Sequence, residues 1–156
     1  EILKQDINSN AMLSAMPYVG MFVFGILISN IADFMRRKNL VSTVVVRKVA
    51  NTIAHVGPAI CLVSLSFVEC DRVATISLLF LAVTLQGGIY TGFMVNHIDI
   101  APNFAGTLCG ITNGAAAISA FLAPMTVGAL TNGNQTLAQW RKVFYISAAL
   151  YVADAV

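Results

Sequence analysis

Long stretches of this chain carry no charged side chain, among them Ile7 to Ala32 and Ile100 to Trp140. Each exceeds the roughly 20 residues with which an α-helix crosses a bilayer. In hydrocarbon every backbone N–H and C=O must find a partner inside the segment, and for runs of this length the helix does so. The composition agrees: 58% of the 156 residues are hydrophobic and 10% are charged, against about 25% charged in soluble domains. Mean hydropathy is +0.80. We expect an all-α integral, multi-pass membrane protein embedded in a lipid bilayer.

The few charges divide the chain. Helical spans are predicted at about residues 11–32, 43–68, 73–97 and 104–130, with a further, truncated span from 143. Asp33 to Lys48 holds Arg36, Arg37, Lys38, Arg47 and Lys48 against one acid, which marks the cytoplasmic side. Arg47 and Lys48 are expected to snorkel from the second span. Glu69 to Arg72 forms an outer turn, and residues 98–103 form a turn on the inner side with Asp99 and Pro102. Counting spans puts the loop 131–139 outside, where Asn134-Gln135-Thr136 is an N-glycosylation sequon. Arg141 and Lys142 run against a simple positive-inside count. The chain opens at Glu1 without a methionine and stops within an apolar run, so a piece of a larger membrane protein is expected.

Other classes lack their signatures. A net charge of +2, with no basic run interleaved with aromatics, excludes a nucleic-acid partner. The three cysteines show neither CxxC nor a Cys/His metal spacing. No GxSxG, phosphate-binding glycine loop, HExxH or workable carboxylate pair is present, so no enzyme, metal site or resident cofactor is expected.

Polar groups inside apolar spans are functional candidates, because hydrocarbon offers them no water. Ser14, Tyr18, Met21 and Gly25 share a helical face, as helix packing or as the edge of a substrate path. Asn51, His55 and Pro58 share another, where His55 reads as a packed histidine. Gln86, Tyr90, Phe93 and His97 fall on one stripe, lining a cavity or packing between helices. Gly88 and Gly92 allow another helix to approach closely, as do Gly106, Gly110 and Gly114, beside which stands Asn113.

Asn30-Ile31-Ala32-Asp33-Phe34-Met35-Arg36-Arg37-Lys38 resembles the signature loop of the major facilitator superfamily. Ser29 and Arg36 stand where glycines are usual, which suits the second copy of the loop, between helices eight and nine. Asn8–Tyr18, Val45–Ala59, Val95–Asn113 and Asn134–Phe144 together resemble the anion/cation symporter family, which includes sialin, the vesicular glutamate transporters and the sodium–phosphate cotransporters. The resemblance covers nearly the whole chain and is strongest to invertebrate inorganic phosphate cotransporter-like members.

The resemblance implies that residues 1–156 are a partial C-terminal half of such a transporter, helices eight to eleven and the start of twelve. The N-terminal half and helix seven, which carry the family's anion-pairing arginines and coupling groups, would be missing partners. Helix nine would be peripheral; helices eight, ten and eleven would face the cavity. The implied function is symport of an organic or inorganic anion, coupled to co-transported sodium or protons by alternating access. The implied substrate-binding residues are Asn113, Tyr90 and Phe93, with Ser14 and Tyr18; Asp33, Arg36 and Arg37 would gate the cytoplasmic side, and Asn134 would be glycosylated. The membrane would be the plasma membrane or that of a vesicle or lysosome. A transport-inactive scaffold or an uncoupled facilitator of the same fold is the alternative.

Overall fold

The structure is a computed structural model that describes residues 7–68, 71–133 and 136–155. Six α-helices follow one another: α1 (Ile7–Arg37), α2 (Thr43–Leu65), α3 (Arg72–Leu85), α4 (Val95–Ile100), α5 (Ala105–Thr131) and α6 (Leu137–Ala155). A π-helical segment, Tyr90–Met94, leads into α4, and a 3₁₀ turn, Pro102–Phe104, leads into α5. No strand occurs among the described residues. Met12–Arg37, Thr43–Leu65, Arg72–Ile100 and Pro102–Thr131 are each long and apolar enough to span a bilayer. The chain is an integral, multi-pass membrane protein.

Several boundaries move from those expected. α1 runs past residue 32 and carries Asp33, Arg36 and Arg37 on its last turns, which shortens the basic loop to 38–42. Its end is set by Asn39, in the left-handed region at φ 51°. There Leu40 N–H donates to Met35 C=O at 3.1 Å and Asn39 N–H to Arg36 C=O at 3.0 Å, the paired bonds that close a helix through a left-handed residue. α2 stops at Leu65, and α6 begins at Leu137 rather than 143. α4 continues to Ile100, so Asp99 lies on a helix and not in the expected turn. Pro102 excludes helix only at the residue before it, and Ala101 alone leaves the helical region, at φ −147° and ψ 83°.

α2 is the hub. It packs along α6, α3 and the π segment, while α1 packs mainly on α3. Pro58 is the largest fully buried side chain, and Ala50, Ala54, Ala59, Cys61 and Leu65 complete the buried face of α2. The helix expected at the periphery is therefore the most buried within this chain. Gly88 and Gly92 both approach α2, as their spacing predicts. A Cβ on Gly88 would lie 2.8 Å from the Ala50 carbonyl oxygen, and one on Gly92 would lie 3.0 Å from the Asn51 nitrogen. Gly87 meets α1 on the opposite side, at the Met21 carbonyl and the Gly25 nitrogen. α5 carries no buried residue. A Cβ on Gly106, Gly110 or Gly114 would meet nothing within 4 Å, so the stripe of small residues has no partner within the described chain.

Candidate functional site

The third span breaks at Gln86–Gly87, where glycines weaken the helix, and resumes with the π segment. π turns inside helices recur at functional sites. Here three elements converge on Thr91, which is only 2% exposed. Its hydroxyl meets the Ser29 hydroxyl of α1 at 2.5 Å. Its carbonyl accepts a 2.7 Å bond from Arg47 Nη1 of α2. Arg47 Nε then reaches Asp99 Oδ2 at 2.9 Å on α4. The Arg47 side chain is 12% exposed, so it does not snorkel as expected. One guanidinium fork ties two elements to α2, which a lysine's point charge cannot reproduce.

Beside this junction opens a cleft of about 590 Å³, lined by Arg47, Asn51, Phe93, Asn96, Asp99 and Asp154 among others. Asn51 Oδ1 is buried without a hydrogen-bond partner among the described residues. Above the cleft, polar contacts knit α6 to its neighbours. His55 Nε2 lies 2.8 Å from Asp154 Oδ2, and His55 Nδ1 lies 2.8 Å from the Asn51 carbonyl. Gln86 Nε2 donates to the Tyr151 hydroxyl. Toward the far end the Ser66 hydroxyl donates to the Val63 carbonyl at 2.6 Å and accepts from the Tyr145 hydroxyl of α6 at 3.0 Å. Burial of a polar side chain is costly unless it is hydrogen-bonded, so the contacts that reach Tyr145, Tyr151 and Asp154 also fix the register of α6.

The residues expected to bind substrate fall in separate places. Ser14 and Tyr18 lie exposed on α1. Asn113 is exposed on α5, its amide near Cys109 Sγ at 3.3 Å. Tyr90, 47% exposed, sits beside Gly25 of α1. Phe93 stacks edge-on against His97, ring centroids 4.8 Å apart, and lines the cleft. His97 is 8% exposed and joins the Thr112 hydroxyl of α5 at 3.3 Å. The expected stripe of Gln86, Tyr90, Phe93 and His97 is thereby divided: Gln86 serves α6, Tyr90 faces α1, and His97 serves α5. The break and the wider π turn rotate each residue out of 3.6-residue phase.

Of the expected gating group, Asp33 and Arg36 approach at 3.8 Å, with side chains 60% and 36% exposed; Arg37 is exposed. Asn134 lies outside the described residues. The pairings of Arg47 with Asp99 and of His55 with Asp154 escaped the sequence reading. Their signal was present: between Asp71 and Asp154 the chain has one acid, Asp99, and a lone acid at the end of an apolar span requires a partner.

No family model matches the chain. Individual relatives do. The protein named "Putative inorganic phosphate cotransporter" of Drosophila melanogaster is 39% identical over 154 residues, 97% of this chain and 29% of its own length. Sialin of Homo sapiens is 40% identical over 156 residues, 100% of this chain and 31% of its own length. Vesicular glutamate transporter 2 of Bos taurus is 37% identical across the same 156 residues, 26% of its length. These relatives bear transporter names, not enzyme names. The chain spans about a third or less of their length.

Proposed function

We infer that this chain is part of a member of the anion/cation symporter family of the major facilitator superfamily, the family that its likeness fits over the whole chain. From that premise we propose a secondary active transporter of a small anion, coupled to sodium or protons and working by alternating access. The observation that carries this reading is the whole-chain likeness to relatives named for phosphate, sialic acid and glutamate transport. These anions share little but their charge, so the common element is an anion path rather than one pocket shape.

The geometry is compatible with such a path along α1 and α5. α5 has no buried residue, and the polar groups Ser14, Tyr18 and Asn113 stand on faces that nothing in the described chain covers. In transporters built of two related halves, the substrate site lies between the halves near mid-membrane. We assign the uncovered faces of α1 and α5 to that interface, with Asn113 and Tyr90 orienting the anion by hydrogen bonds; Phe93, which lines the cleft against α2, stands apart from them. Asp33, Arg36 and Arg37 would act at the cytoplasmic gate. The partner is then the remainder of the same protein, its N-terminal half and helix seven.

The test is uptake by the full-length protein in proteoliposomes. Radiolabelled phosphate, sialic acid and glutamate are each offered under an imposed sodium or proton gradient. Accumulation of any one, driven by either gradient, is the expected result. Binding and exchange without accumulation would make the protein an uncoupled facilitator, and neither would leave a scaffold.

A further inference from the structure

Between α2 and α6 runs a second hollow, a surface groove of about 650 Å³ that no residue of α1, α3, α4 or α5 lines. Its floor is made by small side chains that are buried, Ala59 and Ala148, and its walls by branched ones that are exposed, Ile60 and Val152. On α2 it extends from Val56 to Ser64, next to the end of the helix at Leu65. Eight residues of helix measure about 12 Å, close to half of a hydrocarbon layer about 30 Å thick. The groove therefore starts at one membrane surface and reaches about one leaflet deep.

Its mouth carries positive charge. Tyr145 closes that end of the groove, with its hydroxyl bonded to Ser66. Arg141 and Lys142 stand four and three residues earlier on α6. At that spacing they share the helical face that presents Tyr145, Ala148, Ala149 and Val152, and their side chains lean toward the helix start, away from the hydrocarbon. These are the two cations that run against the positive-inside count. Both are exposed, and among the described residues neither belongs to an ion pair. Asp71, the acid described at this end of the bundle, is already engaged: its carboxylate accepts from the backbone N–H groups of Val73 and Ala74 at 3.0 and 3.2 Å. Arg72 beside it adds a further positive charge. One helix face thus joins a pair of unbalanced cations to an apolar groove one leaflet deep.

We propose that α2 and α6 bind one anionic phospholipid, its phosphate on Arg141 and Lys142 and one acyl chain in the groove between Ile60 and Val152. The headgroup supplies the selectivity. Lipid tails are as apolar as the groove itself, so burying a chain there favours no lipid over another. Two basic groups at a membrane surface favour an anionic over a zwitterionic headgroup about tenfold or more. The groove supplies the place, because a chain lying in it keeps the phosphate beside the two cations. The occupied site touches both helices and fastens α6 to α2 at the end opposite the Arg47–Asp99 pair. It lies away from the uncovered faces of α1 and α5 and stands whether or not the transport reading does.

The test uses the full-length protein in phosphatidylcholine vesicles that carry a trace of phosphatidylglycerol with a photoreactive group on its acyl chain. After illumination, mass spectrometry locates the labelled residues. Label is expected on Val56, Ile60 or Val152, and unlabelled phosphatidylglycerol should displace it about tenfold more effectively than phosphatidylcholine. Arg141→Gln combined with Lys142→Gln should abolish that preference, whereas Arg141→Lys combined with Lys142→Arg keeps both charges and should keep it. Ala149→Leu, at an exposed position on the groove, should suppress the label while thermal melts stay unchanged. Equal displacement by the two lipids, or a preference that survives loss of both cations, overturns the proposal and leaves ordinary lipid-facing surface. Absence of label from the groove overturns it too, since another part of the protein then covers that face. Displacement by inorganic phosphate as effective as by phosphatidylglycerol would give the cations to a soluble anion and also end the proposal.

Discussion

Arg47 of α2 and Asp99 of α4 are joined by a 2.9 Å ion pair whose guanidinium also caps the Thr91 carbonyl at 2.7 Å. The two residues stand 52 positions apart, and the pair closes the bundle at its basic end. The arginine side chain is 12% exposed and its donors are used in two directions.

Removing the arginine should loosen that end. Arg47→Gln strands Asp99 and uncaps Thr91, at a cost of about 1–3 kcal/mol, because the Asp99 side chain keeps about a third of its exposure. The full-length protein in detergent should unfold at a lower temperature. A double-mutant cycle with Asp99→Asn should return a coupling energy of the same sign; additive losses would disprove a direct pairing.

Gly88, between α3 and the π segment, tests the close approach of the third span to α2. A methyl there meets the Ala50 carbonyl oxygen at 2.8 Å, a backbone atom that cannot rotate away. Gly88→Ala should cost about 1–3 kcal/mol through overpacking. Gly128→Ala on α5, with nothing within 4 Å, should be neutral or slightly stabilising through helix propensity. Thermal melts of the two variants side by side give the comparison.

Asn113→Ala should raise the apparent KM for the transported anion about tenfold or abolish uptake, with normal membrane expression. One hydrogen bond to a charged ligand is worth about 1.5–3 kcal/mol. Thr126→Ala, on the same helix with its hydroxyl satisfied by the Leu122 carbonyl, is the control. Equal effects of the two would make Asn113 a packing residue.

Asp33 meets only Arg36 within the described chain, at 3.8 Å and well exposed, a geometry worth little. We propose that at the gate it meets the positive end of a helix in the other half. Asp33→Asn should then shift the full-length protein toward inward-facing states and slow transport, a charge–dipole contact being worth about 0.3–2 kcal/mol. Cysteine accessibility on the two sides of the membrane reads the shift. Unchanged labelling together with unchanged rates would sink the gate.

Orientation is tested at the sequon. Asn134 should carry a glycan, seen as a glycosidase-sensitive mass shift lost in Asn134→Gln, while a tag at Lys38 should be protected from outside reagents. A tag at Lys38 that labels from outside would invert the topology.

The all-α membrane class was legible in the sequence because it follows from local quantities. Uncharged runs of spanning length, the basic cluster after α1, and the four-residue spacing of Gly88 and Gly92 each act within one helix or between neighbouring helices. Helix existence needs no more than that. Pairing across the bundle was decided by tertiary structure alone. A π turn following Gly87 and Gly88 broke the 3.6-residue phase, sending Gln86, Tyr90 and His97 to three different helices. Arg47 turned inward to Asp99 instead of outward to the interface, since α4 runs on to Ile100, past the span end expected at residue 97. His55, on its helix an isolated imidazole, meets Asp154 at 2.8 Å because α6 returns antiparallel along α2 and brings Asp154 to the same depth. Those contacts join residues 52 and 99 positions apart, a separation that periodicity within a single helix does not encode.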